Sequence, residues 1–590
     1  MAVLSAASDD FDALTYAHDW ALVDVETSGL RPGLHRVLSV AVLTLGADGE
    51  PVEEFSTLLD PGCDPGPVHI HGLTAERLRG SPTFDKVAER VAGLLEGRVM
   101  VAHNAHFDYN FLEREFSGAG VRLPVERRLC TLALNRRIAP PTPDLRLGTL
   151  AAHYGVRQLR AHDARDDVRV LAGVLRGSLA GSAELGLPLP LVSCPPKNGG
   201  AFARRTHKVP CMFRCPGRMA ADGPLVQGMK VAFTGETTPP RDELEAQAAD
   251  AGLNVMTTVS RFTSLLVAND PHTSTAKARR AVSEGVPIID EDTFVRLLAD
   301  VRPGVRHDDS PADPGASPPP RASNPSREGR LLGRRVLVLG GTHPRAAAAR
   351  TRVTELGGAA AVNLSAGVTD VVALPGADDD RRMGRITALE VPVHREDWLG
   401  STAAGPQSIA TRTAPVVLRL GAVIDLPVTA DATTWTVTAS WAQQTGCEID
   451  LVAFAVDEDD QVGSDDDFVF YGAPDGPGAG VRLATDGPTE QSVIVDLSVP
   501  PPQVRRIIVA AALDGEAAFG DVGAIEITAG PGVGEALLAQ ATLDAATTER
   551  TLLLAEIYRR GPSWRLRAVG QGYDFGLAEL ARRHGVDVDD

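Results

Sequence analysis

Three stretches without regular apolar patterning cut this chain of 590 residues into pieces. They constrain its fold more than any other feature. Leu187 to Gly223 is Pro-rich, Arg302 to Gly329 contains Ser317-Pro318-Pro319-Pro320, and a shorter break runs from Ser401 to Thr413. Such compositions behave as linkers rather than cores. The pieces between them, residues 15–180, 225–300, 331–399 and 415–590, are of domain size. A multidomain chain of four modules is expected, with 187–223 and 302–329 as linkers. No apolar run reaches the ~20 residues of a membrane span. Met1 to Asp10 carries no basic residue ahead of an apolar stretch, so no secretory signal is expected. Six cysteines are too few and too scattered for a disulfide framework. These features predict a soluble, cytoplasmic protein with no membrane partner.

The net charge of −19 is unevenly spread. From Pro415 onward there are 28 acidic and 11 basic residues, which leaves 49 acidic and 47 basic for everything before it. The anionic last module repels phosphate backbones and suits cations, whereas the near-neutral remainder leaves nucleic acid open as a partner.

The first module alternates strand-like and helix-like patterns. Ala21–Val25 and Val37–Leu45 read as buried strands, and Phe84–Leu95 has helical spacing. The first strand runs into Glu26. Strand side chains alternate, so Asp24 and Glu26 project on one side and repel each other unless a cation lies between them. His103-Asn104-Ala105-His106-Phe107-Asp108 follows the apolar run Val99–Ala102 and places Asp108 at a helix start. His162-Asp163-Ala164-Arg165-Asp166 opens a further helix, and the spacing of four predicts that His162 and Asp166 share its face. Four carboxylates and a histidine from three segments suit hard cations such as magnesium or manganese. Paired metals of this kind serve phosphodiester displacement, with histidine as the natural base for water.

These motifs, with His71-Gly72-Leu73-Thr74 between them, resemble the DnaQ-like, DEDDh-type 3′–5′ exonucleases over roughly 160 residues. The resemblance implies an α/β RNase H-like fold and a phosphodiester hydrolase. It implies that Asp24, Glu26, Asp108 and Asp166 hold two Mg2+ or Mn2+ ions and that His162 activates water. The implied substrates are 3′ ends of DNA, single strands preferred, with RNA also open. Together with the later modules read below as BRCT-like and TerD-like, it implies a DNA-repair or stress-response setting, with a stress-response scaffold acting through those modules and carrying a vestigial nuclease as the alternative.

The second and third modules repeat one plan: a short apolar strand (Lys230–Thr234, Arg335–Leu339), a helix ending in glycine, a second strand, and a helix after a Val-Pro strand. Gly228 to Gly235, Val259-Ser260, Ser274 to Ala278 and Val286 to Asp290 resemble the BRCT domain of bacterial DNA ligases. That resemblance assigns Thr234, Gly235 and Lys277 to a phosphate pocket for a phosphoprotein or a DNA end. The third module resembles a more divergent BRCT domain. Leu339-Gly340-Gly341 lacks the hydroxyl, Arg381, Arg382 and Arg385 only approximate the lysine, and Trp398 fits a packing position. No phosphate pocket is expected there. In the first linker, Cys194, His207, Cys211 and Cys215 offer a Cys3His set for zinc, but their spacing matches no standard finger, and reduced thiols are expected.

The last module is rich in Val, Ile and Thr with Gly and Pro turns, and is expected to be mainly β. Phe468-Val469-Phe470-Tyr471, Tyr558-Arg559 and Trp564 through Ala568-Val569-Gly570-Gln571-Gly572 resemble the TerD family, associated with tellurium resistance and stress. The resemblance implies a β-sandwich that binds Ca2+ through acidic loops, here at Asp450, Asp486 and Glu490. Glu448 to Val452 departs from the family's pattern and the loop before Val493 is shortened, so weak calcium binding is expected.

Overall fold

Long apolar strands make the first sheet. The computed structural model describes residues 16–194, 211–306, 329–400 and 415–588, apart from short stretches within them. Trp20–Thr27 (β1), Val37–Leu45 (β2) and Pro51–Leu58 (β3) pair antiparallel. Val99–Ala102 (β4) and Arg127–Cys130 (β5) extend the sheet in parallel, and Leu191–Ser193 (β6) closes it antiparallel, in the order β3-β2-β1-β4-β5-β6. All nine residues of β2 are buried, as expected of a strand covered on both faces. The helices Ala105–Ala119 (α1), Thr131–Ile138 (α2) and Ala164–Leu185 (α3) pack against this sheet.

Pairing between β1 and β4 stops at Leu22 and Val101, so the second half of β1 runs on beyond its neighbour. Asn104 turns the chain there with φ of 70°, a left-handed conformation that asparagine tolerates better than most residues. Helix α1 therefore starts directly over the free end of β1. Aspartate 163 caps α3 by accepting from the N–H of Asp166.

The two middle modules share one topology. Lys230–Phe233 (β7), Asn254–Met256 (β8), Leu265–Val267 (β9) and Ile288–Ile289 (β10) form a parallel sheet in the order β10-β9-β7-β8. Arg335–Leu339 (β11), Ala359–Ala361 (β12), Asp370–Ala373 (β13) and Val393–Arg395 (β14) form another in the order β12-β11-β13-β14. Read from opposite edges, these are the same arrangement. The third module ends in a short 3-10 segment, Glu396–Gly400, in which Trp398 stacks on His394.

The last module is two sheets around Trp435, Trp441, Phe519 and Trp564, antiparallel except where the edge strand Val416–Val417 runs parallel to Ala539–Leu543. One has seven strands, with Thr434–Ser440 and Glu490–Asp496 at its centre, and the other six. The modules touch through charged groups. Lysine 230, only 2% exposed, reaches Asp457 (2.9 Å) and Asp459 (3.3 Å) of the last module. Those carboxylates outweigh the cost of burial and hold its ammonium above the usual range. Arginine 335 makes two bonds of 2.7 Å to Glu526, and Arg136 reaches Asp486 and Glu490. Among the described residues no helix is long and apolar enough to cross a membrane.

Candidate active site

The free end of β1 carries the chemistry. Carboxylate oxygens of Asp24, Glu26 and Asp167 lie within 4.8 Å of one another. Asp108, in the first turn of α1, accepts a hydrogen bond from the N–H of Val25 (3.3 Å). Burial, then the charges of Asp108, Glu26 and Asp167, holds the Asp24 carboxyl well above the usual carboxylate range. Burial with Asp167 and Asp163 pushes Glu26 up to about 7. Burial pushes Asp108 up to about 8, against the opposing pull of the Val25 N–H. Asp167 is raised by burial as well, an effect partly offset by the donors Gln158 Nε2 (2.8 Å) and the N–H of His162 (2.9 Å). Four acids held in low dielectric with no lysine or arginine of the described residues paired to them favour either protons or a metal.

The structure corrects one expected ligand. Asp166 turns away from the cluster: its carboxylate accepts from the N–H groups of Leu159 and Arg160, each at 2.7 Å. The next residue, Asp167, takes the place assigned to it. The cause lies in where α3 begins. Because Asp163 is its cap, the helix starts at Ala164, and His162 sits outside it with φ of 62°. His162 and Asp166 therefore share no helix face. Ala164, Asp167, Val168 and Leu171 make the buried stripe. Counting back from Leu171 by four would have found Asp167.

His162 is exposed, and its backbone N–H is tied to Asp167. The other histidines of the motifs have structural work. His71 accepts from the N–H of Leu73 (3.0 Å) at Nδ1, which leaves the Nε2 hydrogen for the Pro65 carbonyl (3.1 Å). Burial lowers its imidazole below the usual range and pushes those of His103 and His106 down to about 4 and about 3.

The other assigned residues separate into two groups. At the end of β7, the Thr234 hydroxyl meets that of Thr275 (2.9 Å), the cap of helix Ala276–Glu284, and Lys277 Nζ lies 3.4 Å from the Phe233 carbonyl. Gly235 follows with φ of 80°. These three are together. In the last module Asp486 and Glu490 lie together, 3% and 4% exposed, but a cation already sits between them. Arg136 from α2 donates to both at 2.9 Å, and Ser492 donates to Asp486 (2.5 Å). Asp450 lies on a strand of the opposite sheet, Ile449–Val456. The residues do not fit a calcium ion, because a guanidinium fills the place of one. The cysteines do not gather either. Cys194 takes a hydrogen bond from Arg128, Cys211 lies against the Gly252 carbonyl and Cys215 against Ser264, while His207 lies outside the described residues.

Residues 22–175 match the exonuclease family, 222–298 the BRCA1 C Terminus (BRCT) domain and 415–584 the TerD domain. The DNA polymerase III subunit epsilon of Treponema pallidum is 31% identical over 151 residues, which are 25% of this chain and 70% of that protein. The chain belongs to the DnaQ-like exonuclease family. The 3′-5′ exonuclease DinG of Bacillus subtilis is 30% identical to the DnaQ-like chain over 154 residues, 26% of this chain and 16% of that one. The chain spans between 11% and 26% of the length of the first curated relatives it matches. Among solved structures, Escherichia coli exonuclease I with a dT13 oligonucleotide aligns at 21% identity and a TM-score of 0.25, over 28% of this chain and 41% of that one. Exonucleases of the DnaQ-like family depend on metal, and the acidic cluster on β1, α1 and α3 is the part of the chain suited to it.

Proposed function

We propose that this chain is a 3′–5′ exonuclease that removes nucleotides from the ends of nucleic acid, single-stranded DNA above all, using Mg2+ or Mn2+. The cluster of Asp24, Glu26 and Asp167 carries this reading: three carboxylate oxygens within 4.8 Å, partly or wholly buried, with no lysine or arginine of the described residues paired to them. With Asp108 they make an all-oxygen site of the kind hard cations take. Ions held there would neutralise charge developing on the attacked phosphate. The chain's own residues do the rest. Val25 holds Asp108 in place. Asp167 fixes the left-handed turn at His162 and leaves that imidazole in solvent, within electrostatic reach of the cluster. His162 then takes the proton of the attacking water.

The test is degradation of 5′-labelled single strands of DNA and RNA with magnesium or manganese. Shortening from the 3′ end by the wild type, abolished in Asp24→Ala, supports the reading. Full activity in Asp24→Ala would sink it, and faster loss of RNA would change the substrate. The BRCT domain supports a DNA-repair setting. Its Thr234, Gly235 and Lys277 suit a phosphate on a protein or at a DNA 5′ end, since they meet at a helix start.

A further inference from the structure

The last module reaches the rim of the acidic cluster. Its strand Val481–Gly487 packs against α1, β5 and β6 of the nuclease module. Val481 and Leu483 belong to the sandwich core, so alternation turns Arg482, Ala484 and Asp486 outward. Asp486 meets Arg136 of α2. Arg482 meets the loop that leaves β1, where its Nη1 donates to the Leu30 carbonyl at 2.9 Å. Arg128 of β5 completes the contact. It lies over the Tyr109 ring of α1 (4.9 Å) and donates to the Thr485 carbonyl (3.2 Å).

The loop that Arg482 grips adjoins the site, since it follows Glu26 directly along the chain. The nuclease module pins its base. The Ser28 N–H donates to the Arg36 carbonyl (2.9 Å), the Arg36 N–H to Ser28 Oγ (3.0 Å), and Thr27 Oγ1 to the Gly29 carbonyl (2.7 Å). From the other side Gly66 presses so closely that a Cβ there would strike the Ser28 carbonyl. Gly66 leads into the turn Val68–His71, and the His71 ring is within charge reach of His162. Leu30 lies farther out. Its side chain is 62% exposed, and its carbonyl is held from the last module. The carboxylates of β1 do not depend on that hold, because pairing with β2 continues as far as Thr27.

We infer that the TerD-like module sets how tightly the nuclease holds a nucleic-acid strand, with Arg482 as a positioning residue for the loop after Glu26. This rests on the nuclease activity proposed above. A strand with its end phosphate at the cluster adjoins this loop, because the loop starts at a cluster residue. A loose loop would lose conformational freedom when the strand arrives, and that loss weakens binding. Arg482 orders the loop beforehand. It acts through the Leu30 carbonyl rather than on phosphate, for its guanidinium is enclosed. Burial lowers its pKa from the ordinary value, against the pull of Asp475.

The test compares full chains carrying Arg482→Met or Arg482→Lys with the wild type. Degradation of a 5′-labelled single strand with magnesium gives kcat and KM. Arg482→Met should raise KM by about three- to tenfold, the range of one hydrogen bond, and leave kcat within about twofold. Arg482→Lys keeps a donor and should recover most of the difference. The salt dependence of kcat/KM should keep its wild-type slope, since no phosphate contact is lost. Hydrogen exchange should quicken from Ser28 to Arg31 and stay unchanged along β1. An unchanged KM in Arg482→Met would overturn the inference and leave the nuclease reading standing. A shallower salt slope would overturn it too, by placing Arg482 on a phosphate. So would a fall in kcat and in thermal midpoint that Arg482→Lys shares, which would make Arg482 a packing residue. A wild type inert toward DNA and RNA would fell both readings, and the wild-type lane alone reveals that case.

Discussion

Two acidic clusters sit in this molecule, and they have opposite settlements. In the exonuclease module Asp24, Glu26, Asp108 and Asp167 lie close together with no lysine or arginine of the described residues paired to them, and burial and mutual repulsion raise their carboxyls. In the TerD-like module Asp486 and Glu490 are as deeply buried, yet Arg136 bridges them at 2.9 Å to each. The first cluster is incomplete without something from solution. The second has been completed from within and has become a joint between modules. The lesson is that buried acids mark a metal site only when no guanidinium has reached them first.

The largest effects should come from emptying the first cluster. Asp24→Ala and Asp167→Ala should each lower nuclease turnover by about 10³-fold or more, beyond the 10²–10³ of a single lost charge-stabilising group. Asp166→Ala should leave most activity, because its carboxylate serves only the turn at Leu159 and Arg160. A reversal of that pattern in a gel assay would restore the original choice of ligand. His162→Ala should lose ~10²–10⁴-fold while still binding manganese.

Breaking the second cluster should convert it toward the first. Arg136→Met leaves two uncompensated buried acids and should cost about 3–5 kcal/mol of stability. Calcium should then raise the thermal midpoint of the variant more than that of the wild type, since the first cluster is open to the ion in both chains. Equal calcium shifts in the two chains would show that Asp486 and Glu490 hold no ion even without the guanidinium.

The difference should also appear in pH. Glu26 is raised from 4.5 to about 7, so the folded chain holds a proton that the unfolded chain has released. The matching stability is fully present below pH 4.5 and is lost as pH rises through 7. Metal needs the deprotonated form, so manganese affinity should climb between pH 6 and pH 8, by roughly tenfold per unit for each proton displaced. Titration calorimetry at pH 6 and pH 8 checks this, and equal affinities would contradict the raised carboxyls. The smallest effect concerns the BRCT domain. Lys277→Ala should weaken binding of a 5′-phosphorylated DNA end or a phosphopeptide by about tenfold, the worth of one charge-assisted contact. Fluorescence anisotropy would read it, and an unchanged affinity would leave that lysine a purely local role.

What was legible in the sequence was whatever short-range pattern controls. Asp24 and Glu26 follow from strand alternation, Asp108 from the start of a helix, and the repeated sheet of the middle modules from the order of strands and helices. Asp167 was missed by one residue because the helix was taken to begin at His162, when the Asp163 cap starts it at Ala164. The fate of Asp486 and Glu490 was beyond reach for another reason. Their partner stands 350 and 354 residues away, and no local pattern announces a contact of that span.

That span has a consequence in time. Modules of a growing chain generally fold as units, N-terminal first, at ~5–20 residues added per second. The nuclease module is therefore finished while the carboxylates that will receive Arg136 are still about 350 residues from being made, a delay of roughly 20–70 s at that pace. For that interval the newborn nuclease carries two arginines of α2 in water, without the TerD-like sheet that later buries them.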